Sequence, residues 1–377
     1  MGDSIQTERL HRFLYRLLDI YSPSGKEREV LEFVRTDLRR RGLPVTVQTV
    51  DEHRYNLLVL PPDAEVQLAL VGHLDTVTAY DLERFGVSQQ GDRIQGLGAA
   101  DMKGGCAAMV EAFLGLWETD SGPRAPVALC LLVGEEETGD GAERLVKSYH
   151  FPWAVVGEPT DLMPCLECYG YVEVQLTSRG QRRHASLAGQ QAGAVEVLLQ
   201  HMLRLTQHMA EAHPDINYNI RDLFSNRAGF AVPEQCEAWL DLHLPPGAAV
   251  GDLLAELEGV SSGGGPDKET VEVRFRTATI EAGFSLPAKG PLVESLQAVF
   301  SRRGLEWRPE AFISHSDANR LWSAGVRPIV LGPGQLAAAH TADEAVSFDQ
   351  VCQAARIYQD LILQMTGGAG LAAAFQG

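Results

Sequence analysis

The segment QLALVGHLD, residues 67–75, is an apolar run that stops at a glycine and then presents an imidazole, His73, and a carboxylate, Asp75. A short apolar run without alternation fits a strand covered on both faces. Two later segments repeat the pattern. VALCLLVGEEE, residues 127–137, ends in Glu135, Glu136 and Glu137, and WAVVGEP, residues 153–159, contains Glu158. In open α/β sheets, sites lie just beyond the carboxyl ends of the strands. Three clusters of ligand-type side chains are therefore expected to converge on one crevice. A fourth candidate, Asp101, lies in the Gly-rich loop GLGAADMKGG (96–105), which enters a helix. A fifth, His340, lies in LGPGQLAAAHTADE (331–344), behind the strand expected at 327–331.

Outward from these segments, strands and helices alternate. Helical spacing of Leu and Phe predicts a helix over 7–18, and a Ser-Pro-Ser-Gly start signal precedes a second over 27–41. Extended segments are expected at 45–50, 56–60 and 67–71. Helices are expected at 107–117 and 143–149, and buried strands at 127–133 and 153–156. The middle of the chain changes character. Strand-like alternation at 172–178, 235–244 and 270–280 surrounds a long helix over 192–209 and a Gly/Ser-rich loop, SSGGGPD (261–267). From residue 290 the pattern returns to helix (292–303), strand (327–331) and helix (348–363). The expected fold is α/β, a mixed-sheet domain built from residues 1–170 and 286–377, with an α+β domain inserted at 171–285. The final GGAGLAAAFQG (367–377) reads as a frayed tail.

Composition narrows the function. With 32 Lys plus Arg against 50 Asp plus Glu, the chain carries a formal net charge of −18. That balance argues against nucleic acid and anionic membranes as partners. The N-terminal MGDSIQTERLHRFLYRLL is charged and has no apolar signal core, and no stretch approaches the roughly 20 apolar residues that span a bilayer. The six cysteines show no disulfide-framework spacing, and Cys165 and Cys168 form a C-x-x-C with no second pair, read as two small apolar residues. The expected location is the cytoplasm.

The residue types at the strand ends suit metal chemistry. Imidazole and carboxylate without thiolate fit zinc or its neighbours. Two metals about 3.5–4 Å apart need a carboxylate that can bridge them, and each keeps an open position for water or substrate. A free carboxylate must take the water's proton and pass it to the leaving group. Adjacent glutamates can split these jobs, one on metal and one free. In a His-x-Asp pair the Asp can hold the imidazole and fix its tautomer. Each element alone has a plainer reading: an acidic turn, a buried histidine, a helix cap, a loop histidine. Their conjunction favours a site.

The segments GHLDTV, GLGAADMKGG, GEEETG, GEPT and AHTADE, in this order, resemble the acetylornithine deacetylase, succinyl-diaminopimelate desuccinylase and carboxypeptidase G family of dinuclear zinc hydrolases. The resemblance runs from near residue 20 to near residue 365. It implies two Zn2+ ions, replaceable by Co2+. His73 and Glu158 would hold one ion, Glu136 and His340 the other, and Asp101 both, with a cis peptide bond after it. Glu135 would be general base and then general acid, and Asp75 would orient His73. The insert would be a lid that also forms a homodimer. Within it, SRGQRRHAS matches the family's Gly-x-x-x-His motif at Gly180 and His184, and His184 would stabilise the oxyanion in the partner subunit's site.

Two departures bear on substrate choice. Many members carry an Asn shortly before a Val-Pro, where NRAGFAVP has Phe230; many have Asp-x-Arg, where DLHLPPG has His243. Within the family, the LGPG turn before His340 points to N-acetyl amino acid deacetylation of the acetylornithine or acetyl-lysine type, in amino acid biosynthesis. One of Arg179, Arg182, Arg183, Arg221 and Arg227 is a candidate partner for a substrate carboxylate. The alternatives are a succinyl-diaminopimelate desuccinylase, a dipeptidase or carboxypeptidase, a single-zinc hydrolase using His315 of FISHSDAN, and a non-enzymatic binding protein on the same fold.

Overall fold

The computed structural model describes residues 5–62, 64–81, 85–118, 125–262 and 271–367. The chain divides into two compact units. One comprises Met1–Glu167, Leu286–Phe312 and Ser316–Gly377; the other comprises Cys168–Ser285 together with Ile313–His315. The insert thus begins a few residues before the expected 171, and three residues from the returning segment group with it.

The first unit is organised on one mixed sheet. Seven of its strands run in the order Val45–Thr49, Tyr55–Val59, Val127–Leu132, Leu68–His73, Trp153–Val156, Arg327–Val330 and Cys165–Cys168, and Glu310–Phe312 pairs with the last of these off that path. The central four pair in parallel, while Val45–Thr49, Tyr55–Val59 and Cys165–Cys168 join antiparallel. Every residue of Leu68–His73, Val127–Leu132 and Trp153–Val156 is buried. Both faces of these strands are therefore covered, which is why their sequences do not alternate. The helix Thr7–Asp19 buries Leu10, Phe13, Leu14, Leu17 and Leu18, the three- and four-residue spacing of one helical face. The helix Gly104–Trp117 is buried almost throughout and packs against Thr7–Asp19 and Phe348–Gly367. Its one acid, Glu111, is paired by the buried Arg9, with Nε 2.7 Å and Nη2 2.9 Å from its two oxygens.

The glycines that close the strands have a packing role. A Cβ on Gly105 would stand 2.1 Å from the Gly157 carbonyl oxygen, and one on Gly332 would stand 2.2 Å from the same atom. A Cβ on Gly72 would meet the Met102 methyl at 2.6 Å. Bare backbone here lets the start of Gly104–Trp117 and the loop after Arg327–Val330 approach the strand ends that carry His73 and Glu158.

The insert is a four-stranded antiparallel sheet in the order Asn217–Ser225, Gln235–Leu244, Gly170–Arg179, Glu272–Glu281. Two helices, Ala194–Ala212 and Val250–Ser262, share its core through Leu198, Leu205, Leu253 and Leu257 with Val174, Leu176 and Leu240. Gly170–Arg179 alternates buried and half-buried residues, as its sequence predicts. Two elements of the insert lie outside the sequence expectations. Asn217–Ser225 is an edge strand with every residue exposed, so no buried face marks it. Val250–Ser262 buries Leu253, Leu257 and Ser261 with Val250, Leu254 and Val260 packed beside them, the three- and four-residue spacing of a helical face beside the Gly/Ser-rich stretch. Ser261 and Ser262 of the expected SSGGGPD loop end this helix; the rest of that loop and the tail after Gly367 lie outside the described residues. Among the described residues no helix is long and apolar enough to cross a membrane.

Substitution Gly105→Ala is expected to destabilise the protein by about 3 kcal/mol, because a backbone oxygen must move to admit the methyl. Gly259→Ala, on an open helix surface, should leave stability unchanged or raise it by up to about 1 kcal/mol. Urea midpoints of the two variants against the parent chain check both.

Candidate metal centre

The sheet register brings the site together. His73 pairs with Leu132 of the neighbouring strand, three residues before Glu135. On the other side Val71 pairs with Val156, so Glu158 emerges level with His73. Asp101 sits in the tight turn Ala99–Lys103, and the Asp101–Met102 peptide bond is cis. His340 follows the short turn Leu336–Ala338 with a left-handed φ of 59°.

His73 is buried, and its two ring nitrogens face different partners. Nδ1 lies 3.1 Å from the Asp75 carbonyl oxygen and 3.5 Å from Asp75 Oδ1. Asp75 itself accepts from Ser24 Oγ at 2.6 Å and from the Glu136 amide at 3.1 Å. Nε2 faces Asp101 Oδ1 at 3.3 Å, Glu135 Oε2 at 3.8 Å and Glu158 Oε2 at 3.9 Å, without the alignment of a hydrogen bond to any of them. On the far side, His340 Nε2 lies 3.0 Å from Glu136 Oε2 and 3.5 Å from Asp101 Oδ2. One oxygen of Asp101 thus faces His73 and the other faces His340. The ligand atoms of His73, Asp101 and Glu158 lie within 4.8 Å of one another, as do those of Asp101, Glu136 and His340.

The electrostatics are those of a crowded acidic crevice. Burial raises the carboxyls of Glu135, Glu136 and Glu158, and neighbouring carboxylates add to the rise: Asp317, Glu136 and Asp101 on Glu135, and Asp101 on the other two. Burial acts in the same direction on Asp101, but contacts to His340 and His73 outweigh it and lower that group. Burial works against charge on His73, yet Asp101, Asp75 and Glu135 hold its imidazole well above the usual range. His340 is pushed up to about 11, by Asp101 first and then Glu136.

These residues fit divalent metal. His73 Nε2, Glu136 Oε1 and Glu158 Oε1 are buried polar atoms with no hydrogen-bond partner. Such atoms are costly unless something satisfies them. Two dications would set four positive charges against the five carboxylates of Asp75, Asp101, Glu135, Glu136 and Glu158.

Several supporting residues have no role that the sequence assigns, although Glu344 and Lys103 lie within the AHTADE and GLGAADMKGG segments. Glu344 accepts from the amides of Gly98 at 2.9 Å, Ala100 at 3.0 Å and Asp101 at 3.0 Å. Burial pushes its carboxyl up to about 7. Lys103, also buried, donates Nζ to the carbonyls of Leu17 and Ile20, at 3.0 and 2.9 Å. Ser24 stands in a stretch whose sequence signals only a helix start. Asp317 lies in the FISHSDAN segment, two residues after the candidate ligand His315.

The remaining candidates belong to the insert. His184 is exposed, with Nδ1 2.8 Å from Ser186 Oγ. His315 stacks on Tyr171 with ring centroids 4.1 Å apart, and it joins no metal-ligand group among the described residues. Its stacking beside Tyr171 and His243 gives no support to a single-zinc site built on it. Arg221 is engaged by Glu173 at 2.6 Å and lies over the Trp239 ring. Arg183 donates to Gln191 and Arg182 to the Ala228 carbonyl. Phe230 is 91% exposed.

The sequence pattern of peptidase family M20/M25/M40 matches residues 69–364. The chain belongs to this family. It is accordingly a hydrolase of the metallopeptidase and amidohydrolase type. A relative from Pyrobaculum aerophilum, assigned as a LysW-lysine/LysW-ornithine hydrolase, is 27% identical over 344 residues, covering 90% of this chain and 93% of the relative. An acetylornithine deacetylase from Edwardsiella ictaluri is 26% identical over 344 residues, covering 85% and 86%. The M20 fold is shared with a tripeptidase from Staphylococcus aureus, at a TM-score of 0.79 and 19% identity over 97% of this chain and 100% of that one. It is also shared with a Bacillus subtilis protein described as a dinuclear metal-binding peptidase, at a TM-score of 0.67 and 10% identity over 96% and 98%.

Glu344→Ala leaves three backbone amides of the Asp101 loop without their acceptor. A loss of about 3 kcal/mol is expected, taking roughly 1 kcal/mol for each. The urea midpoint should fall while the far-ultraviolet circular dichroism of the native protein stays unchanged.

Proposed function

We propose that this M20 enzyme hydrolyses the amide bond of a small N-acyl amino acid, of the acetylornithine or acetyl-lysine type, with two zinc ions. The observation that carries the reading is the division of Asp101. Its two oxygens face two separate imidazole and glutamate pairs, and Glu135 remains beside them outside both ligand groups. His73 and Glu158 would hold one ion, Glu136 and His340 the other, and Asp101 both. When bound, such ions supply Lewis acidity for an acyl carbonyl and a water ionised near neutral pH.

The chain's own residues do the rest. Glu135 accepts a proton as the water oxygen attacks the acyl carbon. It returns that proton to the amine nitrogen as the C–N bond breaks, and the second water proton passes from the product carboxyl to the amine, leaving a carboxylate and an ammonium group. Burial raises the Glu135 carboxyl, which suits a group that must both take and give a proton. Asp75 fixes the ring of His73 through its carbonyl and carboxylate, leaving Nε2 turned toward Asp101 and Glu158. His184, exposed in the insert, is the proposed oxyanion donor toward a second copy of the chain in a homodimer. Six buried cysteines with no disulfide among the described residues support placing the enzyme in the cytoplasm.

The names of the Edwardsiella and Pyrobaculum relatives support an acetyl or related amide on ornithine or lysine. A relative from Aspergillus oryzae described as a probable carboxypeptidase, 24% identical over 378 residues, keeps peptide cleavage as the second reading. Amine release from N-acetylornithine, N-acetyl-lysine, N-succinyl-diaminopimelate and simple dipeptides separates them. One acetyl amino acid should be cleaved best, with activity lost to a chelator and restored by Zn2+ or Co2+. Dipeptides as the best substrates would overturn the deacetylase reading while leaving the centre intact. Glu135→Gln should lower kcat by about 100-fold or more while metal content stays at that of the parent chain. An unchanged kcat would remove Glu135 from its role.

A further inference from the structure

The insert carries a second group of ligand-type side chains that hydrolysis leaves unused. His208 lies near the end of the helix Ala194–Ala212, and His213 caps that helix. Glu256 lies on Val250–Ser262. The two helices pack on a common core that includes Leu205, Met209, Leu253 and Leu257. The three side chains therefore project from packed secondary structure at one seam. His208 Nε2 stands 2.5 Å from Glu256 Oε1, and His213 Nε2 stands 3.1 Å from Glu256 Oε2. The three ligand atoms lie within 4.8 Å of one another. Their side chains are 27%, 25% and 40% exposed, so an ion can arrive from solvent.

We propose that His208, His213 and Glu256 form a third divalent-metal site, for Zn2+ or a similar borderline cation, lying wholly within the insert. Two imidazoles and one carboxylate, with no thiolate, are a zinc-type donor set that leaves a fourth position for water. Both histidines present Nε2 toward the same carboxylate, so the donors already converge. Tetrahedral ligands about 2.0–2.2 Å from zinc stand roughly 3.4 Å apart. The present separations of 2.5 and 3.1 Å therefore need to widen by less than roughly 1 Å, within reach of side-chain torsions on a helix surface. On binding, each imidazole carries its proton on Nδ1, and the ion replaces the two ring-to-carboxylate hydrogen bonds. Mg2+ and Ca2+ prefer all-oxygen surroundings and are disfavoured by two imidazoles. The consequence is a zinc-dependent clasp between the two insert helices, independent of the ions proposed at Asp101.

The test counts metal on the full-length chain. Protein stripped by a chelator is dialysed at neutral pH against graded Zn2+, and bound zinc is measured by mass spectrometry. The parent chain should take up one equivalent more than the His208→Gln/His213→Gln double variant, and hydrolysis should be equal in the two. Glu256→Gln, which keeps the side-chain shape, should weaken that extra equivalent. The Asp101 centre is the same in every chain, so its failure to bind would lower all counts together and leave the difference readable. Equal uptake by parent and double variant across the titration would sink the proposal, as would an extra equivalent that Mg2+ fills as readily as Zn2+.

Discussion

The position of one carboxylate sets the demands on the rest of the first unit. Asp101 must stand between two imidazoles, each facing a different one of its oxygens. A side chain on a mobile loop cannot hold that place. Here the loop is fixed from three directions. Glu344 takes up three of its backbone amides, Lys103 anchors its far end to the carbonyls of Leu17 and Ile20, and bare glycines let the following helix close on the strand ends. The buried strands then set His73 and Glu158 at one level through their register.

That geometry concentrates negative charge where solvation is poor. Burial and mutual repulsion raise Glu135, Glu136 and Glu158, while the two imidazoles oppose the rise. Charges of one sign are tolerated out of water only when compensated. His73 and His340 supply part of the compensation, and His73 Nε2, Glu136 Oε1 and Glu158 Oε1 remain buried without hydrogen-bond partners. The same crevice also separates adjacent glutamates. Glu136 falls within a ligand group with Asp101 and His340, whereas Glu135 does not. An acidic turn that looks uniform in sequence is thus split by the direction in which each side chain leaves it.

The insert solves a different problem. Its antiparallel sheet is covered by two helices, so its inner strands and the edge strand Glu272–Glu281 alternate, while the other edge does not. Asn217–Ser225 exposes Ile220, Leu223 and Phe224 along an edge of that sheet. The substitutions expected to alter substrate choice also find local physical roles there. His243 lies against Tyr171 with ring centroids 5.5 Å apart, and Phe230 presents an almost fully exposed ring.

The sequence by itself determined six strands of the first unit, the inserted second unit, and the family; Cys165–Cys168 and the three-residue strands Ser88–Gln90, Arg93–Gln95, Glu310–Phe312 and Ala345–Ser347 are too short to carry a periodic signal. Uninterrupted apolar runs occur because both sheet faces are buried, and they end at glycines because other backbone packs there. Those local rules are enough to place His73, Glu135, Glu136 and Glu158 at strand ends. Only the tertiary structure decided how the five ligand candidates group, because grouping depends on sheet register and on a loop and a turn folded in from far along the chain. Glu344 shows the limit. Its role is to accept hydrogen bonds from amides more than 240 residues away, and no local periodicity encodes such a contact. The exposed edge strand of the insert stayed hidden for the opposite reason: it buries too little for hydrophobic spacing to record it.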